Sequence, residues 1–351
     1  MDFFNVPVHA WYADNKRELP WRNTLDPYLI WLSEIILQQT RIDQGLSYYN
    51  RFSETFPTIT DLAKAPEDQV LKLWQGLGYY SRARNLHATA RIIAEQYSGS
   101  FPSQYEQILA LKGVGEYTAA AIASIAFSLE YPAIDGNVYR VLSRFFGITE
   151  PIDTTKGKKL FKELATKLIK DTNPGLHNQA VMEFGALQCT PSTPDCQNCP
   201  ISARCYAHAN KMAGELPVKL NKPKQRQRYF NYIVPIYKGS TWLRKRTDND
   251  IWKNLFEFPL IETTDKKEVD DLLNLAEFQK LSDSLFSGVE KLTEWKVHIL
   301  THQRIHYRII RIILTDEISS SNGFVRVNKE DIFNFAVPKL LETYIDNELF
   351  V

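Results

Sequence analysis

The sequence of 351 residues predicts an all-α domain followed by an α/β domain. Across residues 1–212, apolar side chains such as Leu71, Trp74 and Leu77 recur at intervals of three and four, the period of an amphipathic helix. After Tyr229 the period changes to two, in segments rich in β-branched and aromatic residues that indicate strands. The polar, basic stretch between these patterns, GELPVKLNKPKQRQR, has the composition of a linker. The expected domains are residues 1–212 and 229–351, joined by residues 213–228.

The composition is that of an ordinary globular protein. Hydrophobic residues make up 44% of the chain, enough for packed cores, and the net charge of +1 neither indicates nor excludes a nucleic-acid partner. No apolar run approaches the roughly 20 residues of a membrane-spanning helix. The N-terminus, MDFFNVPVHAWY, lacks the basic region and apolar core of a secretory signal. We therefore expect a cytoplasmic protein with no membrane partner.

The first segment with candidate chemistry is Leu29–Thr40, LIWLSEIILQQT, which predicts a helix with one charged residue, Glu34. The positions three and four residues away include Ile30, Trp31 and Leu37. A carboxyl group among apolar neighbours has a raised pKa and stays protonated near neutral pH, as a general acid must. The alternative is a partly exposed glutamate whose charge solvates one face of the helix.

The second such segment begins with a glycine-rich turn, Gly113-Val114-Gly115, between two apolar runs. Two glycines one residue apart let backbone N–H groups converge without a Cβ in the way. The following helix, expected over Tyr117 to about Ser128, directs its positive end at the same place. The turn therefore predicts a phosphate site made of backbone alone, as in a helix-hairpin-helix. The alternative is an ordinary turn between two helices.

A carboxylate follows this helix. Pro132 breaks the chain, and Asp135-Gly136-Asn137 restarts it before a helix expected to end at Phe146. Asp135 is thus one helix length beyond the turn, as a candidate for a reaction at the bound strand. Its alternative role is that of the N-cap of the next helix.

All four cysteines lie close together, with the spacing C-x6-C-x2-C-x5-C. Disulfides are not expected in a cytosolic chain of this size. Four thiolates suit either zinc or a [4Fe–4S] cluster. Structural zinc sites usually contain two close pairs of cysteines, whereas only one close pair occurs here, so the cluster is favoured and zinc stays the alternative. The candidate ligands are Cys189, Cys196, Cys199 and Cys205.

In the C-terminal part, strands are predicted over Tyr229–Tyr237, Trp242–Arg246 and Ile305–Leu314, and a closing helix over Leu340–Leu349.

In their order along the chain, the hairpin, Asp135 and the four-cysteine loop resemble the base-excision DNA glycosylases of the helix-hairpin-helix superfamily. The cysteine spacing resembles that of the cluster-bearing endonuclease III and MutY families. The motifs LPWR (Leu19–Arg22) and LQQT (Leu37–Thr40) resemble MutY, the adenine DNA glycosylases. The segment IWKNLFEFPL (Ile251–Leu260) resembles the strand-loop signature of their NUDIX-like domain.

This resemblance implies an all-α helix-hairpin-helix glycosylase domain with a [4Fe–4S] loop at 189–205, and an α/β NUDIX-like domain for 8-oxoguanine recognition. It implies a monofunctional base-excision repair enzyme that hydrolyses the N-glycosidic bond of adenine opposite 8-oxoguanine or guanine in double-stranded DNA, acting as a monomer. One alternative is an endonuclease III-like bifunctional glycosylase-lyase. A second is a DNA-binding or redox-sensing cluster protein without catalytic activity.

The resemblance also implies the roles of the acidic residues. Glu34 protonates a ring nitrogen of the flipped-out adenine, and endonuclease III has no carboxylate at this place. Asp135 stabilises the sugar oxocarbenium ion, so that two carboxyl groups act in two environments as in a glycosidase. Asn137 helps to hold the water.

One position separates hydrolysis from strand cleavage. Bifunctional members of the superfamily carry a lysine two residues after the second glycine of the hairpin, and its amine forms a Schiff base with the sugar. Tyr117 stands at that position here and cannot form an imine. Lys112 is nearby in sequence but precedes the turn, so we do not expect it to substitute.

Several residues match DNA-contacting positions of the MutY family. An amide and an aromatic ring can wedge into the duplex beside the opposing base when adenine leaves the stack. Arginines can neutralise phosphates, whereas we expect Tyr80 to pack in the core. The expected wedge residues are Gln39, Thr40, Leu77 and Tyr79, the expected phosphate contacts are Arg82, Arg84 and Arg204, and the expected adenine pocket contains Arg17, Trp21 and Gln179.

The C-terminal domain departs from two family patterns. A working NUDIX hydrolase needs two glycines and an Arg-Glu-x-x-Glu-Glu helix for its metal, and neither follows Pro259, so nucleotide hydrolysis is not expected. The family's Phe-Ser-His triplet for 8-oxoguanine is replaced by Leu300-Thr301-His302. The hydroxyl and imidazole groups are retained and the aromatic ring is not, so Thr301 and His302 are the expected lesion contacts. The alternative is that these two residues only end a strand.

Overall fold

The computed structural model describes residues 1–220, 225–282, 286–318 and 323–349. The chain divides into two compact units. We call residues 1–64 and 85–221 the helical unit, and residues 65–84 and 222–351 the mixed unit. A piece of the N-terminal half, 65–84, thus belongs with the C-terminal part, which the sequence pattern did not predict.

The described residues 1–220 are mainly helical, as predicted, and a longer loop over 188–205 contains the four cysteines. These helices are α1 (Asp2–Asn15), α2 (Pro27–Leu37), α3 (Ile42–Thr55), α4 (Ile59–Lys64), α5 (Glu67–Trp74), α6 (Ser81–Gln96), α7 (Tyr105–Leu109), α8 (Glu116–Phe127), α9 (Gly136–Phe146), α10 (Thr155–Ile169), α11 (Pro174–Leu187) and α12 (Tyr206–Ala209).

The helical unit holds its functional helices against one another through α11. Helix α11 packs on α1, α8 and α9, and α2 packs on α8. Part of the core is a cluster that the buried apolar stripe of α9 shares with α1, α10 and α11, including Phe4, Val141, Phe145, Phe161 and Phe184. Helices α2, α8, α9 and α11 are therefore fixed relative to one another, and they carry most of the candidate site.

Helix α2 is shorter than predicted. It ends at Leu37, whereas the sequence pattern extends to Thr40. Gln38 is already outside helical geometry, and Gln39 lies in the left-handed region with a φ of 56°. The spacing of apolar residues does not show where α2 ends, because the chain turns between Leu37 and the beginning of α3 at Ile42. The turn sets Gln39 and Thr40 outside the helix.

The mixed unit contains two sheets. The strands are β1 (Arg226–Ile236), β2 (Ser240–Lys245), β3 (Phe256–Glu257), β4 (Leu260–Thr263), β5 (Phe286–Leu292), β6 (Lys296–Ile299), β7 (Gln303–Leu314) and β8 (Phe324–Asn328). The larger sheet has the order β4-β1-β7-β5 with β6 also paired to β7, and the smaller sheet has the order β3-β2-β8. Helices α13 (Val269–Leu273), α14 (Ala276–Ser282) and α15 (Lys339–Asn347) complete the unit. The three predicted strands and the closing helix are confirmed.

The pairing of β1 with β7 places the expected lesion contacts. These two strands are parallel, with Arg226 opposite Gln303 and Ile236 opposite Ile313. The backbone N–H of Arg226 donates to the carbonyl of His302 at 2.9 Å. Thr301 and His302 are therefore in the turn that enters β7, next to the beginning of β1.

The predicted linker, 213–228, is partly structured. Strand β1 already includes Arg226–Arg228. Before it, the carbonyl of Val218 accepts from the N–H of Ile152 at 3.1 Å, and the N–H of Leu220 donates to Asp153. Residues 221–224 of the predicted linker lie outside the described residues. Across the part of the chain that the structure describes, no helix is long and apolar enough to cross a membrane.

Candidate active site

A cavity of about 560 Å³ in the helical unit brings together residues that are distant in sequence. It is walled by α2, by the beginning of α8, by the segment that enters α9, and by α11. Of the predicted site residues, it is lined by Arg17, Trp21, Glu34, Gln39, Thr40, Tyr117, Asp135, Asn137 and Gln179.

Glu34 is on the last turn but one of α2, on the cavity wall. The pKa of Glu34 is raised to about 7, because burial and the nearby charge of Asp135 raise it and outweigh the opposing hydrogen bond with Tyr117. The carboxyl group is therefore readily protonated near neutral pH. This is the protonation state that the apolar neighbours in the sequence predict.

Asp135 lines the cavity and is also the N-cap that the sequence offered as its alternative role. It is the N-cap of α9, and its Oδ1 accepts from the N–H of Val138 at 2.8 Å. Its Oδ2 accepts from Nδ2 of Asn137 at 2.7 Å. Burial raises the pKa of Asp135, and these hydrogen bonds and the nearby Arg140 limit the rise. The carboxylate is thus held rigidly at the cavity by its capping bonds.

Tyr117 is in the first turn of α8, within the same cavity. Its hydroxyl donates to Sδ of Met182 at 3.3 Å. Burial raises the pKa of Tyr117 well above its usual value, and the charges of Glu34 and Asp135 add to this effect. The phenol therefore stays neutral. Lys112 is exposed in the turn before α8 and is not among the residues that line the cavity.

The sequence analysis missed Glu183, the acid at the polar end of the cavity. Its side chain is 1% exposed and accepts from both arginines that precede α2. Arg17 donates to it from Nε at 2.8 Å and from Nη2 at 2.6 Å, and Arg22 donates from Nη1 at 2.9 Å and from Nη2 at 2.7 Å. Burial opposes ionisation, yet the hydrogen bonds from Arg17 and Arg22 lower the pKa of Glu183 to about 2.

A helical period could have indicated Glu183. It follows the predicted pocket residue Gln179 by four positions, so the two side chains share one face of α11. The carboxamide oxygen of Gln179 accepts from the hydroxyl of Tyr12 at 2.9 Å. Trp21 is buried and lies edge-on to Tyr49. The predicted adenine pocket therefore has one aromatic wall and one end rich in hydrogen-bonding groups.

The predicted hairpin is present between α7 and α8. Gly113 has a φ of 78°, and a Cβ there would meet Cβ of Asn85 at 2.7 Å, so the turn requires glycine. Gly115 is the N-cap of α8 and has open space where a Cβ would be. Val114 is buried, and its N–H donates to the carbonyl of Leu111 at 3.1 Å. Backbone N–H groups at this helix end are available for an anion.

The four cysteines line one small cavity of about 30 Å³. Its other walls include Val141, Phe145, Phe184 and Ile201. All four thiols are free, and within the described residues no three His, Cys, Asp or Glu side chains are grouped so that they could hold a metal ion. Nη1 of the buried Arg144 donates to Sγ of Cys189 at 3.4 Å. Arg204, an expected phosphate contact, lies over the ring of Phe3.

Arg140, which the sequence analysis also missed, connects the cysteine loop with the cavity. Its Nε donates to the carbonyl of Cys189 at 2.7 Å, and its Nη2 donates to Oδ1 of Asn137 at 2.8 Å and to the carbonyl of Gly185 at 2.6 Å. No local motif marks Arg140, since its contacts with Cys189 and Gly185 come from residues far away in sequence.

The predicted wedge residues differ in their environment. In the helical unit, Gln39 is exposed and has a left-handed backbone. In the mixed unit, Tyr79 is 46% exposed with a φ of 48°, and its hydroxyl lies 2.6 Å from Oγ1 of Thr301. Tyr80 is buried, as expected. Leu77 is buried too, so its side chain is not free to enter a duplex as predicted.

The prediction that Arg82 contacts a phosphate does not fit this structure. Arg82 is buried, and its guanidinium lies 5.0 Å from the ring centre of Trp74 and donates to the carbonyls of Leu77 and Gly78. The guanidinium is therefore used within the turn, where it binds two backbone carbonyls. Arg84 is half-buried and donates from Nη1 to the carbonyl of Lys253 at 2.8 Å.

Comparison with known protein families gives two matches. Residues 32–169 match the model of the HhH-GPD superfamily base excision DNA repair proteins, and residues 231–347 match a NUDIX domain.

Curated relatives cover most of the chain. An adenine DNA glycosylase of Buchnera aphidicola subsp. Baizongia pistaciae is 34% identical over 347 residues, which cover 97% of this chain and 93% of the relative. One from subsp. Acyrthosiphon pisum is 38% identical over 257 residues, 73% of each chain. The adenine DNA glycosylase of Homo sapiens is 43% identical over 214 residues, 58% of this chain and 39% of the human protein.

Solved structures resemble the helical part. A thermostable thymine-DNA glycosylase has a TM-score of 0.55 and 31% identity, covering 59% of this chain and 95% of the other. Endonuclease III in a non-covalent DNA complex has a TM-score of 0.51 at 22% identity, covering 58% and 93%, which shows a shared fold.

Proposed function

The chain belongs to the adenine DNA glycosylases, and we propose that it removes adenine paired with 8-oxoguanine or guanine from double-stranded DNA. As a member of this family it is a monofunctional base-excision repair enzyme. One observation supports the proposed chemistry most directly: a carboxyl group with a pKa of about 7 and a rigidly held second carboxylate share one cavity. The proposed assignment is Glu34 as the acid and Asp135 as the stabilising carboxylate.

The proposed reaction uses the two carboxyl groups in sequence. Glu34 donates its proton to a ring nitrogen of adenine while the N-glycosidic bond breaks, so that adenine leaves as a neutral base. The positive charge that develops on the sugar is stabilised by the carboxylate of Asp135. Water then adds its oxygen to C1′ of the sugar and releases a proton, which restores the acid for the next cycle.

Asn137 has the geometry of a residue that holds Asp135 and orients water. Its Nδ2 donates to Asp135 and its Oδ1 accepts from Arg140, so the orientation of the carboxamide is fixed at both ends. The second hydrogen on Nδ2 can meet the attacking water. Tyr117 cannot open the sugar as an imine because its side chain has no amine, and we propose that its neutral phenol instead hydrogen-bonds the acid.

The polar end of the cavity supports a role in holding adenine. The adenine ring presents several nitrogen atoms at its edge, and these need donors and acceptors. Arg17 and Gln179 supply them, and the buried Glu183 holds Arg17 in place. Trp21 supplies an aromatic surface for the base. We propose that these groups select adenine over bases with a different edge.

The cysteine loop fits a [4Fe–4S] cluster by the chemistry of its donors. Four thiol groups and an apolar wall surround one cavity at the end of the helical unit, and such clusters bind four thiolates. When bound, the cluster supplies structural stability, because it ties residues 189–205 together. Protein with about four irons per chain supports the cluster. Protein with one zinc and no iron would overturn it in favour of the alternative metal.

We propose DNA contacts in each unit. In the helical unit they are the backbone of Gly113–Gly115 and the wedge residues Gln39 and Thr40. In the mixed unit they are Tyr79, Thr301 and His302, and the last two would read the opposite base. We propose that the enzyme acts as a monomer. The four thiols suit a reducing cytoplasm, and we propose that the enzyme acts there with the chromosomal DNA.

The test is a single-turnover assay on duplexes that place adenine opposite 8-oxoguanine, guanine or thymine. We expect release of adenine opposite 8-oxoguanine and guanine, slower with guanine, and an intact abasic strand that breaks only on heating in alkali. Glu34→Gln serves as the inactive control. Strand cleavage by the untreated enzyme at oxidised pyrimidines, with adenine left in place, would overturn the proposal and support the endonuclease III-like alternative.

A further inference from the structure

The turn that carries Tyr79 has a strained backbone. Gly76 and Gly78 have φ values of 97° and 72°, and Tyr79 follows in the left-handed region at 48°. Glycine adopts this conformation readily, but tyrosine does so only where the surrounding structure imposes it. The contacts that impose it therefore determine where the exposed ring of Tyr79 points.

Part of the constraint comes from within the same segment. Nε1 of Trp74 donates to the carbonyl of Gly78 at 3.0 Å. The buried guanidinium of Arg82 donates from Nη2 to the same carbonyl at 3.3 Å and to the carbonyl of Leu77 at 3.4 Å. These contacts close the turn on itself, and the same guanidinium lies 5.5 Å from the ring centre of Tyr79.

Gln75, directly before Gly76, fixes the base of the turn on the C-terminal part of the mixed unit. Its Nε2 donates to Oε1 of Glu342 in α15 at 2.9 Å. Its Oε1 accepts from the N–H of Val337 at 3.4 Å and from Nζ of Lys72 at 3.1 Å. The carboxamide thus uses both its donor and its acceptor side at the point where the turn begins.

Neighbouring contacts strengthen this attachment. Nζ of Lys72 also donates to the carbonyl of Phe335 at 3.2 Å, and the hydroxyl of Tyr80 donates to the carbonyl of Val337 at 3.4 Å. Nζ of Lys339 forms an ion pair with Oε2 of Glu342 at 2.8 Å. Burial raises the pKa of Glu342, but its bonds to Lys339 and Gln75 outweigh this and hold the pKa below its usual value. Glu342 is therefore a charged, strong acceptor for Gln75 at neutral pH.

A further contact of the turn is at its tip and differs in kind. Tyr79 and Thr301 share a hydrogen bond at an exposed site, where water competes for both hydroxyls. An exposed bond between neutral groups contributes little to holding a strained conformation. The part-buried attachment at Gln75 is therefore a contact with the C-terminal part of the mixed unit that can help to impose the backbone of Tyr79.

We propose that Gln75 and Glu342 are positioning residues, whose hydrogen bond holds the turn 76–79 in the form in which Tyr79 enters DNA beside the opposite base. The proposal rests on the proposed function, since it assigns a task to α15 in the same discrimination. The C-terminal part would then act on lesion recognition in two ways, through the contacts of Thr301 and through the orientation of Tyr79. Truncation removes both at once, so point variants are needed to separate them.

The test compares single-turnover rates for adenine opposite 8-oxoguanine and opposite guanine in the full-length enzyme. We expect Gln75→Glu, which places two carboxylates together, to lower the ratio of these rates about tenfold, as for loss of a hydrogen bond to a charged group. Combining Gln75→Glu with Glu342→Gln exchanges donor and acceptor, and we expect this double variant to regain the wild-type ratio. Asp68→Ala is the matched control, because it removes an exposed contact of the same segment to Lys245 of β2.

Each outcome has a defined meaning. Rescue by the double variant supports the proposal, because a general loss of folding would not be reversed by a second substitution. If Gln75→Glu discriminates as well as the wild type, or if the double variant stays as impaired as the single one, Gln75 does not position the turn. A wild type that does not distinguish the two opposite bases would overturn lesion recognition itself, and this inference with it.

Discussion

The guanidinium of Arg140 donates to the carboxamide of Asn137 at 2.8 Å, and the same side chain donates to the carbonyl of Cys189 at 2.7 Å. Asn137 in turn donates to Asp135. A continuous series of hydrogen bonds therefore connects the first cysteine of the loop with the proposed catalytic carboxylate. The position of the loop and the orientation of Asn137 are mechanically coupled through one buried arginine.

Replacing Arg140 should therefore reduce catalysis without removing any group that touches the substrate. We expect Arg140→Lys to lower the single-turnover rate about tenfold, because a lysine cannot reproduce the several donors of a guanidinium in a fixed plane. Arg91→Lys, at an exposed site of α6, is the control. The iron content should be measured in parallel. If rate and iron fall together in proportion, Arg140 acts through the loop and not through Asn137.

The pKa of about 7 for Glu34 predicts a pH profile. The acid must be protonated to donate, so the single-turnover rate should be highest below pH 7 and fall about tenfold per unit well above it. Glu34→Gln should lose this limb and be about 10²–10⁴-fold slower, while binding the duplex normally. A rate that stays constant from pH 6 to pH 9 would show that another group supplies the proton.

The burial and the raised pKa of Glu34 could be predicted from the sequence, because they depend on neighbouring residues of one helix. Apolar residues three and four positions away on one helix predict both the burial and the raised pKa. The hairpin and the capping position of Asp135 are local in the same sense, since glycine geometry and helix ends are set by a few adjacent residues. The cysteine spacing is another short-range pattern, and it too is readable in one sequence.

The lowered pKa of Glu183, by contrast, depends on Arg22 and Arg17, which are 161 and 166 positions away in the sequence. No pattern in α11 shows that two arginines from the segment before α2 enclose its carboxylate. Arg140 and Gln75 were missed for the same reason, since the contacts that define their roles come from elements far along the chain. The assignment of 65–84 to the mixed unit likewise depends on tertiary contacts that helical periodicity does not contain.

Because its pKa in the folded state is about 2, against an ordinary 4.5, Glu183 should stabilise the protein in a pH-dependent way. A lowered folded-state pKa contributes stability above the unfolded-state value, which is lost as the pH falls from about 4.5 towards 2. We expect Glu183→Gln to destabilise the fold by about 3 kcal/mol at pH 7 and by progressively less below pH 4.5. Urea titrations at pH 7 and at a pH below 4.5 measure the free energy of unfolding, with the exposed Glu163→Gln as control. An equal loss at all pH values would point to packing and not to charge.

Tyr117 offers a gain-of-function test of the monofunctional chemistry. Tyr117→Lys places an amine in the cavity near Asp135, where it can attack C1′ of the sugar to form an imine. We expect borohydride to trap a covalent complex with this variant and strand scission to follow, whereas the wild type gives neither. Tyr117→Phe is the control, because it removes the hydroxyl without adding an amine. Efficient trapping by the wild type would contradict the assignment and require another lysine.

Thr301 tests how the lesion is distinguished. 8-Oxoguanine carries a hydrogen on N7 that guanine lacks, so a hydroxyl at this site can accept from the lesion, whereas with guanine it must rotate and donate. In the DNA-free structure that hydroxyl is 2.6 Å from the hydroxyl of Tyr79, a contact that it would give up to meet the lesion. We expect Thr301→Val to lower the preference for 8-oxoguanine over guanine by about 2- to 13-fold, the value of one neutral hydrogen bond at about 0.5–1.5 kcal/mol. Tyr79→Phe is the matched control, since it removes the same Tyr–Thr hydrogen bond but keeps the threonine hydroxyl. If both variants lost the same preference, the hydroxyl of Thr301 would act by holding Tyr79; if only Thr301→Val did, it would read the lesion directly.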